Sequence, residues 1–139
     1  MDWNEMIPAS EITQKVTAQT VNFAREFGEF LGKNETAPDQ HGRDRTVREK
    51  LTTNQLRKFF GEVKRQQMKG YDVTDFVLLK PKLAYAVGRT KGNDPKIKDF
   101  YKVMSNAIDQ VNDEKSFRNF IKIFEAIVAY HKATEENKL

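Results

Sequence analysis

The stretch FRNFIKIFEAIVAYHK, residues 117–132, decides the fold class. Its apolar residues Phe117, Phe120, Ile121, Phe124, Ile127 and Val128 fall at i, i+3, i+4, i+7, i+10 and i+11. At about 100° per residue that pattern lines one face of an α-helix. A helix of this kind draws its stability from covering that face, so the segment predicts the spine of a helical core. Working back along the chain, Ile97, Phe100, Tyr101, Met104, Ile108 and Val111 repeat the helical stripe. The run Gly92-Asn93-Asp94-Pro95 before it predicts a stop and a restart, with Asp94 as N-cap and Pro95 at the first helical position.

Thr52-Thr53-Asn54-Gln55 has the form of a capping box, with Thr52 as cap and Gln55 reaching back. The helix it opens carries Leu56, Phe59, Phe60 and Val63 on one face and ends at Gly70. A short helix over Thr74–Leu79 follows. Pro81 is expected to kink or restart the chain, since a proline inside a helix loses a hydrogen bond and clashes with the preceding turn. Residues 81–90 form the next piece, packed through Leu83 and Val87. The first helix is expected from Glu11 to Leu31, with Ser10 after Pro8 as its cap and Ile12, Val16, Phe23, Phe27, Phe30 and Leu31 on its inner side. Residues 32–50, GKNETAPDQHGRDRTVREK, hold only Ala37 and Val47 as apolar side chains besides Pro38. That is too little to offset the entropy of ordering, which predicts a long mobile loop. No stretch alternates with period two for long enough to predict a strand, and no internal repeat occurs. The expectation is an all-α fold: a single compact bundle of about five to six helices spanning residues 1–139, with a long mobile loop near residues 32–50.

Composition narrows the function. The 139 residues include 38% hydrophobic and 32% charged side chains and no cysteine, which excludes disulfides and thiolate metal sites. The start, MDWNEMIPAS, has no basic segment followed by an apolar one, and no apolar run approaches the roughly 18 residues that cross a bilayer. A cytoplasmic protein without membrane contact is expected. The net charge of +4 is unevenly spread: residues 41–92 carry 13 Lys/Arg against 5 Asp/Glu, whereas residues 1–40 carry 3 against 7 and residues 93–139 carry 8 against 8. Such segregation suits a polyanionic partner at one surface, although a solvated charged face would give the same count.

Catalysis needs converging groups, and few are available. His41 and His131 could act as general acid and base in a metal-free RNase, but each has a simpler reading, His41 as a solvated loop residue and His131 as a helix-end residue favoured by the dipole. HExxH, GxxxxGK[ST], GxSxG and GxGxxG are absent. Asp113 with Glu114, and Glu135 with Glu136, are adjacent in sequence and so point to different sides of a helix. The sequence predicts no enzyme, no metal and no cofactor.

The cations are better arranged. On the helix after Thr52, Arg57, Lys58, Lys64 and Arg65 fall away from the apolar face, and Arg57 and Lys64 are about 10 Å apart along the axis, a span between phosphates of one strand. In KPKLAYAVGRTKG, residues 80–92, Leu83 and Val87 point inward, which sets Lys82, Tyr85 and Arg89 on another face beside Lys80. A tyrosine between cations can stack on a base while they meet phosphates. Equally, Tyr85 could pack on a neighbouring helix and Arg89 pair with Glu125, with Gly88 marking a close helix crossing. Arg43, Arg45, Arg48 and Lys50 form a basic arm whose ordering could accompany binding.

Four blocks, LTTNQLRKFF at 51–60, LLKPKLAYAVGR at 78–89, FYKVMSNAIDQV at 100–111 and FRNFIKIFEAIVAYHK at 117–132, resemble those of the small subunit of the type III-A CRISPR effector, the Csm complex. The resemblance implies a helical bundle without catalytic residues. It implies that several copies stack beside the other Csm subunits along the groove that holds guide RNA and target RNA, gripping backbone while the guide reads sequence. Cleavage would belong to the other subunits. On this resemblance Arg57, Lys58, Lys64, Lys80, Lys82, Tyr85 and Arg89 are the RNA-facing candidates, and Arg65 joins them from its helix face. The isolated subunit could also form a two-fold dimer. A helical adaptor acting only through protein contacts is the competing expectation.

Overall fold

The computed structural model of the protein describes Trp3, residues 9–92 and residues 94–137. The chain forms α1 (Ala9–Thr13), α2 (Ala18–Leu31), β1 (Glu35–Pro38), β2 (Asp44–Arg48), α3 (Thr53–Lys69), α4 (Val73–Val77), α5 (Leu79–Gly88), α6 (Ile97–Gln110) and α7 (Glu114–Glu135). The fold is mostly helical, as the spacing predicts. Pro8 and the side chain of Ser10, on which the expected first cap rests, lie outside the described residues, as does Asn93 of the expected turn before α6.

The spine is α7. Asp113 caps it by accepting from the Ser116 N–H at 2.8 Å, while the Ser116 hydroxyl accepts from the Asp113 N–H at 3.0 Å. Phe117, Phe120, Ile121, Phe124 and Ile127 are all buried. Phe76 of α4 stands edge-on to Phe117 and Phe120 at 5.4 and 5.1 Å, and Phe59 of α3 stands edge-on to Phe124 at 5.5 Å, so one aromatic seam joins three helices. Against the same spine α2 lies unusually close. A Cβ at Gly28 would sit 2.8 Å from the Ile127 carbonyl oxygen, and one at Gly32 would sit 2.9 Å from that of His131. The close crossing anticipated at Gly88 is absent, for Gly88 faces open space.

Three differences from the sequence reading have identifiable causes. The expected helix over 11–31 is broken at 14–17. The Asn119 side chain donates to the carbonyls of Ile12 and Gln14 at 2.8 and 3.1 Å, and the buried Glu11 carboxylate accepts from the hydroxyls of Thr17 and Thr20. Asn119 thus satisfies carbonyls that a continuous helix would have satisfied itself, and Glu11 fixes the start of α2 through those hydroxyls. Second, α6 starts at Ile97, not at Pro95: the Lys96 N–H donates to the Glu49 carbonyl at 2.9 Å, tying this entry to the linker before α3.

The third difference is the segment 32–50, expected as an irregular mobile loop, which forms an antiparallel hairpin pairing Thr36 with Thr46 and Ala37 with Arg45. Its turn closes on Asp39, whose carboxylate accepts from the backbone of His41 at 2.8 Å and of Arg43 at 2.9 Å, with Gly42 at φ +78°. Ions dock it to the helices in place of apolar side chains. Arg48 donates to Asp99 at 2.5 Å and to the Asp94 carbonyl at 2.8 Å, and lies 5.5 Å above the Phe30 ring. Buried Lys96 donates to the Phe30 carbonyl at 2.7 Å and pairs with Glu35 at 3.4 Å. Burial nevertheless pushes the Lys96 ammonium below its usual range.

Pro81 behaves as expected of a restart, since α4 ends at Val77 and α5 begins at Leu79, which leaves the proline in a first turn where no N–H is needed. The Thr52 cap also forms as predicted, with Gln55 N–H to Thr52 Oγ1 at 3.1 Å and Thr52 N–H to Gln55 Oε1 at 2.8 Å. Among the described residues no helix is long and apolar enough to cross a membrane.

Candidate nucleic-acid interface

Capping at Thr52 and restart at Leu79 set α3 and α5 side by side, and a groove of about 1210 Å³ runs between them. Its α5 wall is Lys82, Tyr85 and Arg89, the stripe that the spacing of KPKLAYAVGR placed on one face, with Ala86 beside Tyr85. The α3 wall presents Asn54, Lys58 and Glu62, and the largely buried side chains of Phe59, Leu83 and Ile97 form the floor. Lys91, just beyond α5, closes one end. A smaller hollow of about 190 Å³, which shares Glu49, Lys91 and Gly92 with the groove, adds Arg45 from β2.

Electrostatics divide these cations. Lys82 pairs with Glu62 at 2.8 Å, and Arg65 holds the same carboxylate at 2.6 Å. The Arg65 hydrogen bond first, and Lys82 second, lower the Glu62 carboxyl to about 2, so it is ionised at neutral pH. Lys58 and Lys91 have no acidic partner among the described residues. Arg89 lies 5.7 Å over the Tyr85 ring, which is itself 69% exposed. Neither alternative considered for this pair holds: Tyr85 is not packed on a helix, and Glu125 pairs instead with Lys64 at 3.2 Å.

The family model for Csm2 Type III-A matches residues 14–137. The chain belongs to that family. It is therefore a small subunit of the type III-A CRISPR effector, the Csm complex, assembled with the other Csm subunits. The match takes in all four sequence blocks and extends upstream through α2 and the hairpin. No curated protein and no solved structure matches the chain.

Within this Csm2-family subunit the eight candidates do not form one surface. Lys58, Lys82, Tyr85 and Arg89 share the groove, and Arg65 stands behind it on Glu62. Lys64 turns toward α7, 5.5 Å from the Phe60 ring, and Lys80 pairs with Asp109 of α6 at 2.7 Å. Arg57 is exposed on α3 but does not line the groove. The basic arm is likewise divided: Arg48 is tied to Asp99, Lys50 lies 3.9 Å from Glu135 and Arg43 3.9 Å from Asp39, while Arg45 alone reaches the hollow. Lys91 escaped the sequence reading, although its place in the run Arg89-Thr90-Lys91 was the available signal. Asn54 escaped because it was read only as part of a cap.

The two histidines have separate duties. His41 is exposed in the hairpin turn, whereas His131 is buried and its ring Nε2–H donates to the Leu51 carbonyl, joining α7 to the start of α3. His131, expected as a helix-end residue favoured by the dipole, is thus a core residue that bonds a backbone carbonyl. No group of three or more His, Asp or Glu able to hold a metal occurs among the described residues.

Proposed function

We propose that this Csm2-family subunit is non-catalytic and holds RNA backbone in the groove between α3 and α5, stacking with further copies of itself along the guide RNA and target RNA in the cytoplasm. The observation that supports this is the convergence of Lys58, Arg89 and Lys91, none with an acidic partner among the described residues, on one groove. Glu49 and Glu62 also line the groove, but neither pairs with these three cations, which are left to attract a polyanion, and binding releases the counterions condensed on it. Lys82 joins them once a phosphate displaces Glu62. Continuity with Arg45 lengthens the basic track beyond the groove.

The reading is tested by RNA affinity as a function of salt. Charge reversal at Lys58, Arg89 and Lys91 is expected to weaken binding and to flatten the salt dependence, by about 0.7 in log–log slope for each phosphate of a single strand that is no longer neutralised. Lys80→Glu, on the face toward α6, is the control and should leave both unchanged. Equal behaviour of the two variants would move the site out of the groove.

A second reading, the protein-only adaptor, draws on a different feature. Val73 and Val77, one turn apart on α4, are 60% and 48% exposed, with Leu78 beside them at 45%. Such an apolar edge suits contact with a neighbouring subunit or a second copy. Normal assembly and normal protection of target RNA by the groove reversals would favour it.

A further inference from the structure

We propose that the groove receives an unpaired nucleotide, its base stacked on Tyr85, and not the edge of a duplex; this rests on the RNA-binding reading above. Beside the cations the groove is lined by Pro81 and Ala86, over Phe59, Leu83 and Ile97, which belong to the core and are almost fully covered. A phosphate gains nothing from such a lining, whereas a base, whose faces are polarisable, stacks on an exposed aromatic ring. Tyr85 is such a ring, 69% exposed, with the Arg89 guanidinium 5.7 Å from its centroid. Phe59 on the α3 side is by contrast 6% exposed and serves the core. Ala86 follows Tyr85 on the same wall, and its methyl side chain leaves room beside the ring.

The opposite wall adds recognition of base edges. The Asn54 carboxamide offers both a donor and an acceptor, and the Gln55 amide, whose oxygen accepts from the Thr52 N–H, adds two N–H donors. Lys58 on the α3 wall and Lys91 at one end of the groove would meet the phosphates that flank an inserted nucleotide. At about 1210 Å³ the groove exceeds the volume of a usual small-molecule site, roughly 300–1,000 Å³, so it can admit a base together with its sugar. A paired base cannot enter, since its faces are covered by the helical stack and its edge by its partner.

The test uses the full chain with three fluorescently labelled RNAs of one length: a single strand, the same strand in a duplex, and the same strand with abasic positions. The single strand is expected to bind most tightly. Tyr85→Leu should lower its affinity roughly 5- to 100-fold and leave the abasic strand unaffected, while Tyr85→Phe preserves binding. Lys58→Glu should weaken all three. If Tyr85→Leu matches the wild type on every RNA while Lys58→Glu still weakens them, the groove holds backbone only and the stacking proposal is overturned. It is overturned as well if Tyr85→Leu leaves RNA binding intact but abolishes capture of the other Csm subunits, which would make the ring a protein contact. A wild-type chain that binds none of the three RNAs would remove the RNA reading itself.

Discussion

Glu62 is the residue on which the groove's charge balance turns. Its carboxylate occupies Lys82 and Arg65 at once, where a phosphate would compete for the same donors. Glu62→Gln should therefore raise RNA affinity by about 1–2 kcal/mol, measurable by titration at fixed salt. The same substitution has a signature in stability. A carboxyl lowered by folding adds stability that is complete above its unfolded value, 4.5, and is lost as pH falls through about 2. Melting temperature should thus fall between pH 4.5 and pH 2 less steeply in Glu62→Gln than in the wild type. Identical pH profiles would show that the pair contributes nothing measurable. That Lys82, Tyr85 and Arg89 share a face was legible because helical spacing alone determines it. Which cation meets which carboxylate was not: Glu125 sits with Lys64 because of how α7 crosses α3, a tertiary fact that spacing on one helix does not contain.

Among the elements, the pairing of α2 with α7 is the most sensitive to a single atom. Gly28→Ala places a methyl 2.8 Å from the Ile127 carbonyl, on backbone that cannot step aside, and should cost about 1–3 kcal/mol in urea unfolding. Gly61→Ala, mid-α3 with open space around it, should stabilise by about 1 kcal/mol. Comparable effects of the two would refute the close crossing. The hairpin rests on Arg48. Burial disfavours its charge, but the hydrogen bond and field of Asp99, with Asp94 and Glu35 nearby, outweigh that and hold the guanidinium above its usual range. Arg48→Met should speed amide exchange across residues 35–48 more than in α7; uniform exchange would place the anchor elsewhere. The hairpin was invisible in the sequence because its order comes from ion pairs and an Asp39 turn, neither of which shows in the number of apolar side chains. The helices were legible because their order does come from those side chains, with Phe120 and Phe124 as the clearest case. The break at 14–17 was hidden for the hairpin's reason, resting on Asn119 more than a hundred residues away.

At the scale of the whole molecule, the chain keeps an aromatic interior around α7 and carries its cation excess outward on α3, α5 and the segment after α5. The middle third's charge was readable from composition, but only folding selects from it the few cations that face one groove. Others from the same third are spent internally, Lys69 on Asp75 and Arg48 on Asp99. In the assembled effector, the groove rather than the general basic surface should therefore be the line of contact with RNA. Ultraviolet cross-linking of the reconstituted Csm complex on target RNA, followed by mass spectrometry of this subunit, tests that most directly. Cross-links within residues 54–62 and 82–92, with Tyr85 foremost, are the predicted result; cross-links confined to Lys64, Lys80 and the hairpin turn, with the groove unmarked, would contradict it.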